Sequence, residues 1–179
     1  MEEFMNRRYW LMAAPAAAAA AVIGGSDAMG ATGISATTSV HFERVKILIM
    51  SWRRKDLAAV LDLCADDIVW YSHVASPPIV GKTVMRAFME KLSEAMPVVR
   101  WRIFHYAESG DLVFTEGVDD FTAPDGKNVA IPYAGVLRFR DGKITEWRDY
   151  FDRAAFDRFK AGEKPAEHMS ILMNRPALF

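Results

Sequence analysis

An aspartate stands among aromatic residues in the strand-like segment 143–151. Because side chains alternate between the two faces of a strand, Asp149 shares a face with Trp147 and Phe151. A carboxylate in apolar surroundings is costly unless it pairs with a cation, or unless its pKa rises and it works as an acid or a base. Asp149 is therefore a candidate catalytic residue. An aspartate held by a neighbouring arginine or a backbone amide is the structural alternative.

A second aspartate, Asp119, follows small residues on one face of the strand-like segment 112–121. Gly117 stands two residues before Asp119 on that face, and a glycine within a strand often marks a bulge or the close approach of a ligand. We predict that Asp119 points into open space and serves as a second catalytic carboxyl group. A strand-end aspartate without such a role is the alternative.

Three further polar side chains are candidates. Tyr71 and His73 are predicted to share one face of a strand at 68–73, and such a pair at a strand end can orient a water molecule or a substrate oxygen. Alternation also places His105 on the face of Trp101, where it either lines a cavity or fills the core. A core tyrosine–histidine pair is the alternative for the first two.

The composition excludes several classes of protein. With 179 residues, of which 51% are hydrophobic and 25% charged, the chain is expected to form one globular domain, not a disordered one. A formal net charge of -1 gives no electrostatic basis for binding nucleic acid. The single cysteine, Cys64, excludes an internal disulfide, and the histidines lack metal-binding spacing. We therefore expect no metal and no cofactor. The aromatic content of 12% suits a pocket for a small apolar substrate, which is the expected partner.

The N-terminal segment differs from the rest of the chain. Residues 1–31 combine Arg7-Arg8, an alanine-rich run and a small-residue exit, which is typical of a twin-arginine-like signal; an alanine-rich helix is the alternative. The apolar run is too short to span a membrane, so no membrane span is expected in the mature protein. The protein is then periplasmic or secreted if the leader is a signal, and otherwise cytoplasmic. Residues 32–39 are predicted to be a linker.

The predicted domain covers residues 40–160, followed by an irregular tail at 161–179. Helical spacing precedes a run of long strands separated by turn signals such as Asp141-Gly142, an order that indicates an α+β fold. We expect a cone in which a curved antiparallel or mixed sheet is wrapped by three N-terminal helices around an apolar cavity. Helices are predicted at 40–52, 57–64, 82–95 and 154–160, and strands at 68–73, 98–107, 112–121, 129–140 and 143–151.

Several of these segments together resemble the limonene epoxide hydrolase family. They are 112–119, 135–139, 141–152, Tyr71-Ser72-His73, and Pro77-Pro78 with Gly81. The resemblance runs from about Val40 to Phe159, and much of it is shared with SnoaL-like polyketide cyclases, ketosteroid isomerases and nuclear-transport-factor-like domains. That superfamily implies the same α+β cone.

The resemblance also implies a mechanism. Its family uses two aspartates bridged by an arginine, one taking a proton from water while the other donates a proton to the epoxide oxygen. By position, Asp149 is similar to the base, Asp119 to the acid and Tyr71 to a water-holding tyrosine. Gly117 stands where the family has its arginine, and His73 where it has a water-holding asparagine. Glycine at that position is expected to enlarge the pocket.

Three functions follow from these residues. The first is a cofactor-independent hydrolase that adds water to an epoxide. The second is an isomerase, cyclase or lyase that takes a proton from a bulky oxygenated or aromatic substrate through Asp149 or His73. The third is a non-catalytic small-molecule-binding domain. The predicted substrate pocket is formed by Gly117, Trp147, Phe151, His105 and Trp101.

The resemblance finally implies a homodimer. Domains of this superfamily commonly pair through the open face of the sheet. Tyr133, Leu137 and Phe139 are expected to give that face its apolar side chains.

Overall fold

The structure is a computed structural model that describes residues 39–179. The predicted leader and the linker up to residue 38 lie outside the described residues. The predicted α+β fold is confirmed. The helices are α1 (Val40–Arg53), α2 (Leu57–Asp62), α3 (Lys82–Ala95), α4 (Arg153–Lys160) and α5 (Glu167–Met173). The strands are β1 (Cys64–Tyr71), β2 (Ile79–Val80), β3 (Val98–Val99), β4 (Arg102–Ser109), β5 (Leu112–Thr122), β6 (Asn128–Arg140) and β7 (Lys143–Phe151).

One curled, mixed sheet contains all the described strands. Its order is β2-β1-β7-β6-β5-β3, and β4 also pairs with β5. The pairs are antiparallel except for β1 and β7, which run parallel. Asp141 and Gly142, with φ of 52° and 74°, form the tight turn that joins β6 to β7. This pairing aligns the concave side chains of β5, β6 and β7 in rows.

Helices α1, α2 and α3 cover the concave face of the sheet, as predicted. Asp56 caps α2 by accepting a hydrogen bond from the backbone N–H of Ala59 (3.0 Å). The buried side chains of Leu48 and Met85 join the core cluster formed with the sheet. None of the helices within residues 39–179 is long and apolar enough to cross a membrane.

Several boundaries differ from the prediction. The predicted strand 98–107 is two strands, β3 and β4, and α2 ends at Asp62 rather than residue 64. Strand β1 begins at Cys64 rather than residue 68, because the backbone of β7 pairs with the chain from that point onward. The tail is also not irregular: α5 packs Met173 against Phe104 and Val118. A helix of seven residues is too short to stand out in the sequence, and its contacts with the sheet supply its stability.

The residues predicted for a dimer face lie in the core instead. Tyr133, Leu137 and Phe139 are buried on the concave side, because Tyr133 pairs across from Phe151 and Leu137 pairs across from Trp147. The convex face of the sheet carries other apolar side chains, and the homodimer stays a prediction.

Candidate active site

A cavity of about 420 Å³ lies between the concave face of the sheet, α3 and α4. That volume is in the range of small-molecule sites in proteins. Its wall is mostly aromatic and aliphatic, with the carboxyl groups of Asp119 and Asp149 set into it. Trp101, Trp147 and Phe151, three of the five predicted pocket residues, also line it.

Asp149 is held by two tryptophans. The indole N–H of Trp147 donates to Oδ1 (2.8 Å), and that of Trp70 donates to Oδ2 (3.1 Å). Trp147 lies two residues before Asp149 on the same face, while Trp70 arrives from β1, where it pairs with Trp147. The two indole rings stack with centroids 4.7 Å apart. Both carboxylate oxygens are therefore fixed in direction, as a group that exchanges a proton requires.

Both carboxyl groups face the cavity and have raised pKa values. Burial raises the pKa of Asp149 to about 7, the indole hydrogen bonds act in the opposite direction, and the charge of Asp119 raises it further. Burial, followed by the neighbouring charge of Asp120, raises the pKa of Asp119 to about 6. Both groups therefore change charge near neutral pH, where acid and base catalysts are most effective.

Among the described residues 39–179, no arginine bridges the two carboxyl groups. Arg102 pairs with Asp120 (3.2 Å). Arg148 pairs with Glu146 (3.5 Å). Neither arginine is among the residues that line the cavity.

The cationic side chains in the cavity wall, within residues 39–179, are Arg153 and Lys160. Both are exposed and therefore lie at its rim. The same part of the chain contains no cluster of three or more histidine, cysteine or acidic side chains that would suit a metal ion.

His73 also lines the cavity, in the turn that follows β1. Its ring lies 4.9 Å from that of Phe151, and its Nδ1 accepts a hydrogen bond from the backbone N–H of Ala75 (3.3 Å). Because Nδ1 is used in this way, the neutral ring carries its proton on Nε2. In this arrangement His73 is better placed to donate a hydrogen bond to a ligand in the cavity than to accept a proton from it.

Tyr71 does not line the cavity. The predicted strand placed Tyr71 and His73 on one face, but β1 ends at Tyr71 and its phase is set by the pairing of Trp70 with Trp147. Tyr71 pairs beside Arg148 on the opposite face. Its predicted role in holding water therefore has no support from its position.

The sequence of residues 45–147 matches the SnoaL-like domain. The chain belongs to the SnoaL-like family. The matched segment ends at Trp147 in β7 and includes most of the residues that line the cavity.

Solved structures share the same fold. An NTF2-like protein of unknown function from Burkholderia pseudomallei is 24% identical, with a TM-score of 0.61, over 67% of this chain and 96% of that one. An LEH-like epoxide hydrolase of M. tuberculosis is 24% identical, with a TM-score of 0.60, over 66% and 87%. TerC, co-crystallised with polyporic acid, is 22% identical, with a TM-score of 0.60, over 67% and 97%. At these identities the likeness establishes the fold, and the narrower resemblance to limonene epoxide hydrolases stays a prediction.

In this SnoaL-like protein, Gly117 is not a gap in the cavity wall. A Cβ atom added to Gly117 would lie 2.0 Å from the carbonyl oxygen of Arg102 on β4. The glycine therefore lets the backbone of β4 approach β5 closely, which is one of the two roles expected of glycine in a strand. The expectation that this glycine enlarges the pocket is wrong, since backbone already fills the space.

His105 also lies outside the cavity. A register shift between Ile103 and His105 breaks the alternation of β4, so His105 pairs with Glu116 on the other face. Its Nδ1 lies 2.7 Å from Glu116 Oε2, and two-thirds of its side chain is exposed. The bulge is not visible in the sequence, which contains no glycine at that point.

Replacing His105 by alanine is expected to leave turnover within about twofold of the wild type, and stability within about 0.5 kcal/mol, because exposed ion pairs contribute little. His73→Ala is the matched variant, since His73 does line the cavity. Steady-state turnover and thermal unfolding check both. A loss of turnover beyond tenfold in His105→Ala, with none in His73→Ala, would contradict the placement of His105 outside the site.

Sequence reasoning missed several cavity residues, among them Trp70 and Tyr133. Tyr133, predicted for the dimer face, lines the cavity with a buried hydroxyl near Thr115 and Trp101. Gly135 makes room beside it: a Cβ atom there would lie 3.3 Å from Cε2 of Tyr133 and 3.5 Å from Oδ1 of Asp149. The tyrosine ring and the carboxyl group therefore border the same point of the cavity. The pairing of β6 with β7, which the local pattern does not contain, is what brings them together.

Proposed function

We propose that this protein is an acid–base enzyme that needs no cofactor and acts on an apolar, oxygenated small molecule. Asp149 takes a proton from a carbon atom next to a carbonyl group, in an isomerase, cyclase or lyase reaction. The observation that carries this proposal is the arrangement of Asp149 in an aromatic cavity, where two indole N–H groups orient it and no cation from residues 39–179 pairs with it. Such a carboxyl group, whose pKa burial raises to about 7, is a strong base for a carboxylate and is half-charged near neutral pH.

Each of the proposed reactions begins with the transfer of a proton from a carbon atom of the substrate to Asp149. The carboxylate of Asp149 accepts the proton, and the electron pair of the C–H bond forms an enolate with its charge on the carbonyl oxygen. In an isomerisation, Asp149 returns the proton to another carbon of the same system. In a cyclisation, the enolate carbon forms a bond to a second carbonyl carbon, whose oxygen takes a proton from a protonated carboxyl group. Asp119, in the same cavity, is the second such group.

Epoxide hydration is the second candidate, because the cavity holds two carboxyl groups with raised pKa values. Asp149 would take a proton from water, the resulting hydroxide would attack an epoxide carbon as the C–O bond breaks, and protonated Asp119 would give its proton to the leaving oxygen. The missing bridging cation counts against this candidate. A non-catalytic binding domain is the remaining alternative.

An exchange experiment separates the candidates. Cyclic ketones and enones are incubated with the full chain in ²H₂O, and a panel of epoxides in H₂¹⁸O, each against the Asp149→Asn variant. We expect deuterium to enter the carbon next to the carbonyl group only with the wild type. A diol carrying one ¹⁸O atom would favour hydration instead. Absence of both reactions, with the ligands bound equally by wild type and variant, would favour the binding domain.

A further inference from the structure

One side of α4 forms the cationic part of the cavity rim. Arg153, Phe156 and Lys160 all line the cavity, and their spacing of three and four residues places them on the same side of the helix. The ring of Phe156 lies 5.5 Å, centroid to centroid, from that of Phe151 in the wall. The guanidinium carbon of Arg153 lies 5.5 Å from the ring centroid of Phe156. Helix α4 therefore carries its two cations to the point where the apolar wall ends.

The turn that follows β1 adds neutral hydrogen-bond donors to the same mouth. The ring of His73 lies 4.9 Å from that of Phe151, which in turn contacts Phe156 of α4. Ser72 and Ser76 of this turn also line the cavity, and their hydroxyl groups can donate. The mouth thus combines two cations with three neutral donors from a second segment.

One positive charge at this mouth is not balanced by its own helix. The Nε atom of Arg153 lies 3.0 Å from each carboxylate oxygen of Asp157, which offsets the charge of this arginine. The other ion pair of α4 within residues 39–179 joins Arg158 to Glu163, so neither pair includes Lys160. A single unbalanced cation beside neutral donors suits a group with one negative charge, such as a carboxylate, better than a doubly charged phosphate.

The inner end of the cavity is unfavourable for an anion. Asp119 and Asp149 are buried in its wall, and burial raises their pKa values so that each is partly charged near neutral pH. A ligand carboxylate beside them would lose its water and meet like charge. An acidic ligand is therefore oriented by the cavity, with its carboxylate at α4 and its uncharged end inside.

We propose that Lys160, with Arg153 and His73 beside it, binds the carboxylate of an apolar, ring-containing acid whose uncharged end lies at Asp149. This inference rests on the proposed function, because it narrows the substrate class of the same cavity. It assigns Lys160 and Arg153 to substrate selection and leaves proton transfer to Asp149.

The test compares two ligands that differ by one charge. 2-Naphthoate and 2-naphthamide have the same ring and nearly the same shape, but only the first is an anion at neutral pH. Calorimetry with the full chain at low salt is expected to give about fivefold tighter binding of the naphthoate, the gain of an ion pair at a solvent-exposed rim. In about 0.5 M NaCl the preference is expected to fall below about twofold, because salt screens exposed charges.

Variants assign the preference to the rim. Lys160→Gln is expected to remove most of the naphthoate preference while naphthamide binding stays within about twofold of the wild type, and Arg153→Gln to remove part of it. Arg158→Gln is the matched control and is expected to keep the preference. Arg158 and Lys160 are both exposed basic residues in the last turn of α4, with the same relation to the helix dipole, but Arg158 does not line the cavity.

Three results would overturn the inference. They are equal binding of the two ligands by the wild type, a preference that survives in Lys160→Gln, and an equal loss of preference in Arg158→Gln. Failure of both ligands to bind would also overturn it, because the cavity would then not take an apolar ring.

The outcome is separate from that of the proposed function. The Asp149→Asn variant is expected to keep the naphthoate preference although it transfers no protons. A preference that depends on Lys160, found together with no deuterium exchange in any ketone, would support the rim site and count only against proton transfer. Loss of the preference in Asp149→Asn but not in Lys160→Gln would place the carboxylate at the inner end and overturn the inference.

Discussion

Replacing Asp149 by asparagine is expected to lower kcat/KM by about a thousandfold, because asparagine keeps the shape of the side chain but cannot accept the proton. The indole N–H of Trp147 or of Trp70 still finds the amide oxygen, so the stack of the two rings persists. Deuterium exchange into the ketones of the panel, followed by mass spectrometry, measures the loss.

The matched control is Asp120→Asn. Asp120 neighbours Asp119 but points away from the cavity, where Arg100 and Arg102 bind it. We expect its exchange rate to stay within about fivefold of the wild type. Equal rates in Asp149→Asn and the wild type would exclude Asp149 as the base.

The charge that Asp149 needs as the proposed base also opposes folding. The wild-type rate is expected to rise with pH through about 7, as Asp149 loses its proton. The free energy of unfolding moves in the other direction: with a folded pKa of about 7 against an ordinary value of 3.8, the folded state holds the proton more tightly than the unfolded state. Stability from this group is therefore full below pH 4 and falls by up to about 4 kcal/mol as pH rises to 7.

Urea unfolding at several pH values measures this change of the free energy of unfolding with pH. The Asp149→Asn variant is expected to lose the larger part of this pH dependence. The part that remains comes from Asp119, whose pKa is raised to about 6. A slope unchanged by the substitution would mean that Asp149 is not shielded from solvent in the folded protein.

What the sequence predicted well depended on unbroken alternation. Strand β7 has no bulge between Trp147 and Phe151, so a period of two was enough to place Asp149 between them on the cavity side. The order of helices, strands and turns likewise predicted the α+β fold, because each element carries its own local pattern.

The rest depended on pairing between distant segments. Trp70 reaches Asp149 across 79 positions of sequence, through the parallel pairing of β1 with β7. His105 was misplaced because one bulge reverses which face a strand presents. Tyr133 was assigned to the wrong face because alternation along β6 separates two faces without showing which of them meets the helices.

Gly117→Ala is expected to lower the free energy of unfolding by about 3 kcal/mol, a large effect for a single added methyl group. The new Cβ atom would lie 2.0 Å from the carbonyl oxygen of Arg102 and 3.1 Å from the Cα atom of Ile103. These are backbone atoms of a paired strand, so they cannot move aside as a side chain does. Gly117→Arg, which restores the arginine of the resembled family, is expected to prevent folding rather than to create an epoxide hydrolase.

Gly135→Ala is the matched control, in the adjacent strand and on the same face. Its Cβ atom would lie 2.8 Å from Oγ1 of Thr115, a side chain that rotates, so the expected loss is about 1 kcal/mol. Because the methyl group also presses on Tyr133 and Asp149, turnover is expected to fall more than stability does. Chemical denaturation and deuterium exchange on the variants measure both quantities. A Gly117→Arg protein that folds and hydrates epoxides would contradict this prediction. It would show that the backbone of β4 can move away from residue 117, and that epoxide hydration lacks only a bridging cation in this cavity.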